Sequence, residues 1–201
     1  MPPSQTYQAD LSYLGTYAED RQASLERLFI EPARRLSGKR FLIGGSKYPG
    51  EFPWTDNIFY VMHVPPPVHP AFYCSSALTL NITRRAMAEM GYCPSGRLFE
   101  AAACGVPIVS DEWEGLERFF NPGAEIITAR TTREVINALA MPREQLARIA
   151  RAARERILDE HTAKQRAEEL EASLDAACRP VAEIGPSFAS QSLRVEPPSE
   201  V

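Results

Sequence analysis

Four residues at the front of "SGRLFEAAACGVPIVSD" carry the clearest chemical offer in the chain: Ser95, Gly96, Arg97 and Glu100. A helix start presents unpaired N–H groups and a partial positive charge, so anions gather there. Serine can cap such a start, and glycine lets a phosphate reach the backbone with no Cβ in between. Arg97 adds a planar fork that matches two phosphate oxygens. Glu100, about one turn further in, can accept hydrogen bonds from paired hydroxyls such as those of a ribose. The competing reading makes Arg97 and Glu100 an i,i+3 surface pair, worth about 0.2–0.5 kcal/mol. Leu98, Phe99 and the alanines are core in either case.

Other positions offer related chemistry with less definition. In "LGTYAEDRQASLE", Gly15 and Thr16 end an apolar run and Arg21 opens the helical segment after it, a second phosphate clamp. "IGGSKYPG" sets Gly44, Gly45 and Lys47 at another strand end, where glycines also serve as plain turns. "LNITRRAM" places Asn81, Thr83 and Arg84 at a strand-to-helix junction, where a Thr or Asn cap competes with ligand contact. His63 and His69 flank a proline run and read as loop residues, and His161 falls in a break between helices. No GxGxxG follows the first strand and no GxxxxGK[ST] occurs, so neither a dinucleotide fingerprint nor a P-loop is present. Three histidines and four cysteines without CxxC spacing give no metal-ligand pattern.

The elements that must position these groups follow from the apolar runs. Six are expected as strands: 10–17, 40–45, 58–64, 77–82, 106–111 and 125–129. Several are continuous rather than alternating, as in strands covered on both faces. Arg21 to Leu36 has helical spacing, with Leu25, Leu28, Phe29 and Leu36 on one face and Pro32 as a kink or early stop. Helical segments are also expected at 84–90 and 96–104, with a turn or two within 111–120. Another opens on Thr131 and Glu134 at capping-box spacing. Strand alternating with helix predicts an α/β doubly wound parallel sheet. Beyond it, Leu146, Ile149, Ala153 and Ile157, then Leu170, Leu174 and Ala177, predict two consecutive helices packed outside the sheet, each burying one stripe. The expected organisation is a linker or cut end at 1–9, one domain over 10–178 and an irregular tail over 179–201.

Charge and composition narrow the partners. The 201 residues carry a net charge of −4, which disfavours general nucleic-acid binding. No apolar run approaches the roughly 18 residues of a membrane span, and the N-terminus lacks the pattern of a secretory signal. With reduced thiols this points to a cytoplasmic protein.

The text "LNITRRAM…SGRLFEAAACGVPIVSDEWEGLERFFNPGAEII", followed by "REVINAL" and residues 153–162, resembles the C-terminal domain of GT-B glycosyltransferases. More narrowly it is similar to the spore maturation protein CgeB-like group. The likeness covers roughly residues 10 to 175. It implies a Rossmann-like domain that binds a nucleoside-diphosphate sugar of UDP or GDP type, with no further cofactor and no metal requirement. It implies that Ser95–Arg97 lie near the donor diphosphate, that Glu100 holds the ribose, and that Gly15, Thr16 and Arg21 face the diphosphate. Arg97 and Arg21 would then offset charge on the leaving group. Many retaining members carry a second Glu eight residues earlier, and Tyr92 stands there in this chain. GT-B enzymes pair this domain with an N-terminal acceptor domain. The chain is therefore expected to be a fragment of such an enzyme or a stand-alone half, with an unknown acceptor and an N-terminal domain or a second copy as partner. The alternative is a non-catalytic nucleotide-sugar-binding or assembly module.

Overall fold

In the computed structural model, which describes residues 3–178, all six expected strands form. They are β1 (Leu11–Leu14), β2 (Phe41–Gly45), β3 (Ile58–Met62), β4 (Thr79–Asn81), β5 (Ile108–Ser110) and β6 (Ile127–Thr128). Every pairing is parallel, in the order β3-β2-β1-β4-β5-β6. The chain winds outward from β1 to β3, returns to β4 beside β1, and continues the other way. The topological switch point therefore lies between β1 and β4, as the doubly wound reading required. The central strands are buried throughout, whereas the edge strand β3 exposes Phe59, Tyr60 and Met62.

The helical stretch from residue 22 to 35 comes in three parts: α1 (Gln22–Leu25), a π-helical segment (Glu26–Ile30) and α2 (Glu31–Arg35). Pro32 does not stop it. A proline lacks the N–H for an i→i−4 bond and its ring collides with the i−4 carbonyl. The wider π turn just ahead of Pro32 absorbs that mismatch, and the helix runs on to Arg35. Its end is capped from afar: Asn57 Nδ2 donates to the carbonyls of Ala33, Leu36 and Lys39. Leu25, Leu28, Phe29, Ile30 and Ala33 pack on one sheet face against Leu11, Phe41, Ile43 and Leu80.

The opposite face is covered by α3 (His69–Cys74), α5 (Gly96–Ala103) and α7 (Arg143–Glu160), with the short α4 (Arg85–Met90) leading into α5. Phe72, Leu98, Ala101 and Ala102 meet Leu14, Leu42 and Ile108 there, and Ala153 and Ile157 of α7 join them. The small side chains of α5 let it lie close to the sheet and to α7, which fixes where its N-terminus emerges. The α6 helix (Thr132–Leu139) returns to the first face, where Val135 and Ala138 join the core.

The α6 start gives a testable consequence. Glu134 N–H donates to the Thr131 hydroxyl, and the Thr131 and Arg130 N–H groups donate to the Glu134 carboxylate. Those backbone bonds hold the Glu134 carboxyl below the usual carboxylate range. A carboxyl depressed in the folded state stabilises fully above its unfolded pKa, and the contribution disappears as pH falls through the folded value. Thr131→Ala should cost about 1 kcal/mol at neutral pH. Glu134→Gln should flatten the acid limb of stability against pH, measured by urea melts from pH 7 down to 3.

The chain divides into two units, Met1–Thr162 and Ala163–Val201. Within the second, α8 (Ala163–Cys178) has the expected helix but not the expected buried stripe: Leu170 and Leu174 are 60% and 55% exposed. Two leucines among alanines and charged residues make too thin a face, and the helix is supported by local pairs such as Lys164–Glu168 and Arg166–Glu169. The expected tail, 179–201, lies outside the described residues.

Candidate functional site

The carboxyl ends of β1, β2 and β3 and the first turn of α5 meet around a cavity of about 220 Å3. Gly15, Thr16, Gly45, Ser46, His63, His69 and Arg97 line it. Its titratable lining is two imidazoles and a guanidinium, with no carboxylate.

The loop floor is built by close approach. Gly45 has φ +151°, and a Cβ placed there would stand 1.9 Å from the Gly15 carbonyl oxygen. The two strand ends can touch only because Gly45 has no side chain. Gly15 N–H donates to Gly44 O at 2.8 Å and Tyr17 N–H to Ser46 O at 2.8 Å, which sets the loop in register. The Tyr48 and Tyr60 hydroxyls donate to the carbonyls of Gly15 and Gly45. Both phenols belong to an aromatic cluster with Phe52 and Trp54 that braces the loop from outside. Lys47, after β2, and His63, after β3, both adopt positive φ, so the backbone turns sharply at these two strand ends.

Two arginine charges converge here. The Arg97 side chain, on α5, makes no hydrogen bond or ion pair among the described residues. Arg21 is 3% exposed, donates from one terminal nitrogen to Thr16 O, leaves Nε without a partner, and forms no ion pair among the described residues. Burial raises the phenol pKa of both Tyr13 and Tyr48; at each the Arg21 and Arg97 charges oppose that rise, while at Tyr13 the Asp111 and Asp20 charges add to it. The guanidinium groups therefore act on the same corner of the sheet. A buried cation with no ion-pair partner is costly, and an anion at this corner would relieve it.

The α5 start adds directional donors. Ser95 occupies the N-cap position but its side chain makes no capping bond. The N–H groups of Gly96 and Arg97 fall in the first turn, where no intrahelical acceptor exists. A Cβ at Gly96 would meet nothing within 4 Å, so open space lies in front of it. The Arg97–Glu100 surface pair does not form. Glu100 Oε2 instead accepts from His69 Nδ1 at 3.1 Å, and Oε1 has no partner among the described residues. Glu100 is not in the cavity wall but adjoins it through His69.

Three sequence-predicted site residues are placed elsewhere. Gly44 is buried behind the cavity, and its missing side chain makes room for Phe72 and Val64; the next residues, Gly45 and Ser46, line the cavity. Asn81 is enclosed in the sheet, where Nδ2 donates to Ser110 Oγ and Thr83 Oγ1. Neither Thr83 nor Asn81 caps α4: the Thr83 hydroxyl and N–H donate to Asp111, and burial nonetheless pushes the Asp111 carboxyl pKa up. Arg84 holds the N-cap position without a side-chain capping bond and lines neither cavity named here. His63 and His69, read as plain loop residues, both line the cavity. The signals available in the sequence were the place of His63 at a strand's carboxyl end and of His69 at the end of the proline run that follows it.

A larger cavity of about 950 Å3 lies beyond β4–β6, between α1 and α4. Asp20, Asp111, Glu112 and Glu114 line it with Arg27, Arg85 and Arg130, of which Arg130 pairs with Glu112 and Arg85 with Glu89. Four carboxylates in that wall suit a diphosphate less than a wall with none, so the smaller cavity is the better anion site despite its size. Among the described residues no group of three or more His, Cys, Asp or Glu side chains is placed to hold a metal ion. No described helix is long and apolar enough to cross a membrane.

Residues 21–172 match the family model described as "Glycosyl transferase-like". No curated protein sequence matches the chain. Among solved structures it is similar to Anabaena HepE in complex with UDP-glucose, with a TM-score of 0.67 and 13% identity over 84% of this chain and 49% of that one. It is also similar to sucrose-phosphate synthase from Thermosynechococcus elongatus (TM-score 0.62, 14% identity, 84% of this chain and 46% of that one). A third is T4 phage BGT in complex with its UDP-glucose substrate (TM-score 0.60, 17% identity, 89% of this chain and 52% of that one). The chain spans about half the length of these structures. At such identities the likeness is one of fold, the GT-B glycosyltransferase fold.

Proposed function

The chain belongs to the glycosyl transferase-like family, and from that premise we propose that it is the donor-binding half of a sugar-transfer enzyme. Its substrate is a nucleoside-diphosphate sugar of UDP or GDP type, held with the diphosphate against Arg97 and the α5 start. One observation carries the reading: a cavity at the strands' carboxyl ends, free of carboxylates, with the unpaired Arg97 in its wall and the buried Arg21, which forms no ion pair among the described residues, behind it. The UDP-glucose bound by HepE and by T4 phage BGT agrees with it.

In this reading the N–H groups of Gly96 and Arg97 and the Arg97 fork hold phosphate oxygens, and the Gly15–Thr16 loop closes the opposite side. Arg21 fixes that loop through Thr16 O and adds its charge from behind. Glu100 Oε1 takes the ribose hydroxyls. Transfer breaks the bond between the anomeric carbon and the terminal phosphate oxygen. The diphosphate leaves with the electron pair, the acceptor oxygen bonds to the carbon, and the acceptor's proton departs. Positive groups fixed at the diphosphate stabilise the charge that grows there in the transition state. We place the acceptor site and its base in a second domain, and the chain itself beside the CgeB-like group on "RLFEAAACGVPIVSD" and "GLERFF".

UDP and GDP titrated against the chain in a thermal-shift assay test this. A ligand at one hundred times its Kd adds about 2.7 kcal/mol to the folded state, and for a chain of this size each kcal/mol raises Tm by roughly 2–4 °C. An unchanged Tm with both nucleotides at millimolar concentration would overturn the proposal.

A further inference from the structure

We propose that His69 is a positioning residue that aims the Glu100 carboxylate at the ribose. The inference rests on the nucleotide-binding reading above. His69 is the first residue of α3 and follows the strap Val64-Pro65-Pro66-Pro67-Val68. Three consecutive prolines fix φ along that strap, so it has little freedom of its own. His69 Nε2 lies 3.1 Å from Val64 O back across it, and Nδ1 lies 3.1 Å from Glu100 Oε2. One imidazole thus joins the segment after β3, the start of α3 and the second turn of α5.

Both partners accept, so a ring nitrogen that bonds either one does so as a donor. Paired with His69 through Oε2, Glu100 keeps Oε1 as an acceptor for a hydroxyl. The ring is itself held: its side chain is 19% exposed, and Tyr73, one turn on in α3, packs edge-on at 6.4 Å. Without His69, Glu100 would be a half-exposed helix side chain free to change rotamer, and ordering it would weigh against binding. A mere staple for the strap would leave the bond to Val64 O sufficient. The bond to Glu100 joins positions 31 residues apart, on the side of the ring toward the proposed ribose.

Calorimetric titrations with UDP and with inorganic pyrophosphate separate these roles, because pyrophosphate has no ribose. His69→Ala should weaken UDP binding about tenfold, the scale of one positioned charged hydrogen bond, and change pyrophosphate binding less than twofold. His69→Gln, whose amide can still donate to Glu100, should recover part of the UDP loss. It also serves as the test should the alanine variant fail to fold by circular dichroism. The double variant His69→Ala/Glu100→Gln should lose no more than Glu100→Gln alone, the mark of coupled residues. Equal losses for both ligands would reduce His69 to a strap staple, and additive losses would show that it does not act through Glu100; either overturns the inference. Wild-type chain that binds pyrophosphate but not UDP removes the ribose role of Glu100. Wild-type chain that binds neither removes the nucleotide reading itself.

Discussion

Gly45→Ala should destabilise the chain by about 3 kcal/mol, at the upper end of overpacking changes, and lower Tm by roughly 6–12 °C. The added methyl would stand 1.9 Å from Gly15 O, 2.6 Å from Gly15 C and 3.3 Å from Thr16 N. All three atoms are backbone, so no rotamer change can relieve the clash. The ends of β1 and β2 must separate, which strains the Gly15 N–H to Gly44 O and His63 N–H to Gly45 O bonds. The positive φ of Gly45 adds strain for any L side chain. The same displacement carries Thr16 and His63 away from Arg97, so nucleotide binding should fail along with stability. Gly96→Ala is the contrast, because a Cβ there meets nothing within 4 Å. Its Tm should stay within a degree or two. Thermal melts of the two variants check this, and an unchanged Tm in Gly45→Ala would deny the close approach of the loops.

Much of the fold was legible because burial on two faces leaves a plain trace. Runs such as "RFLIGG" and "VPIVSD" are continuous and apolar, and continuity together with alternating helical spacing allows few layouts other than a doubly wound sheet. Details that depend on one residue's geometry were not legible. Gly44 and Gly45 look equivalent in text, yet one faces Phe72 and the other the Gly15 carbonyl. Asn81 looked available at a strand end, but its neighbour across the sheet is Ser110, a polar partner that only the register reveals. The α8 stripe had the correct period, but period alone does not say how much apolar area a helix must bury. His69 shows the deepest limit. Its meaning lies in Glu100, and local propensity does not encode a contact between distant parts of the chain. The proline strap does encode rigidity, and it holds His69 at a fixed distance from the end of β3.

Arg97→Ala should weaken UDP binding by about 1.5–3 kcal/mol, the range for a hydrogen bond to a charged group, or roughly 10- to 150-fold in Kd. It should do so without harming the fold. The guanidinium has no partner among the described residues, and its charge lies close enough to Arg21 for both to act on Tyr13 and Tyr48. Removing it deletes no internal bond and relieves like-charge repulsion, so Tm without ligand should hold or rise slightly. Arg21→Ala should behave in the opposite way. Arg21 is buried and holds Thr16 O, so its loss should lower Tm without ligand as well as affinity. Arg97→Lys should recover part of the affinity through charge alone, with a steeper loss as salt is added, since a point charge lacks the fork's paired geometry. Calorimetry of UDP binding and melts of the three unliganded variants decide the matter. If Arg97→Ala bound UDP like the wild type, the diphosphate would have to lie elsewhere. If its unliganded Tm fell as far as that of Arg21→Ala, Arg97 would be a structural residue, and the anion site at the α5 start would lose its main cation.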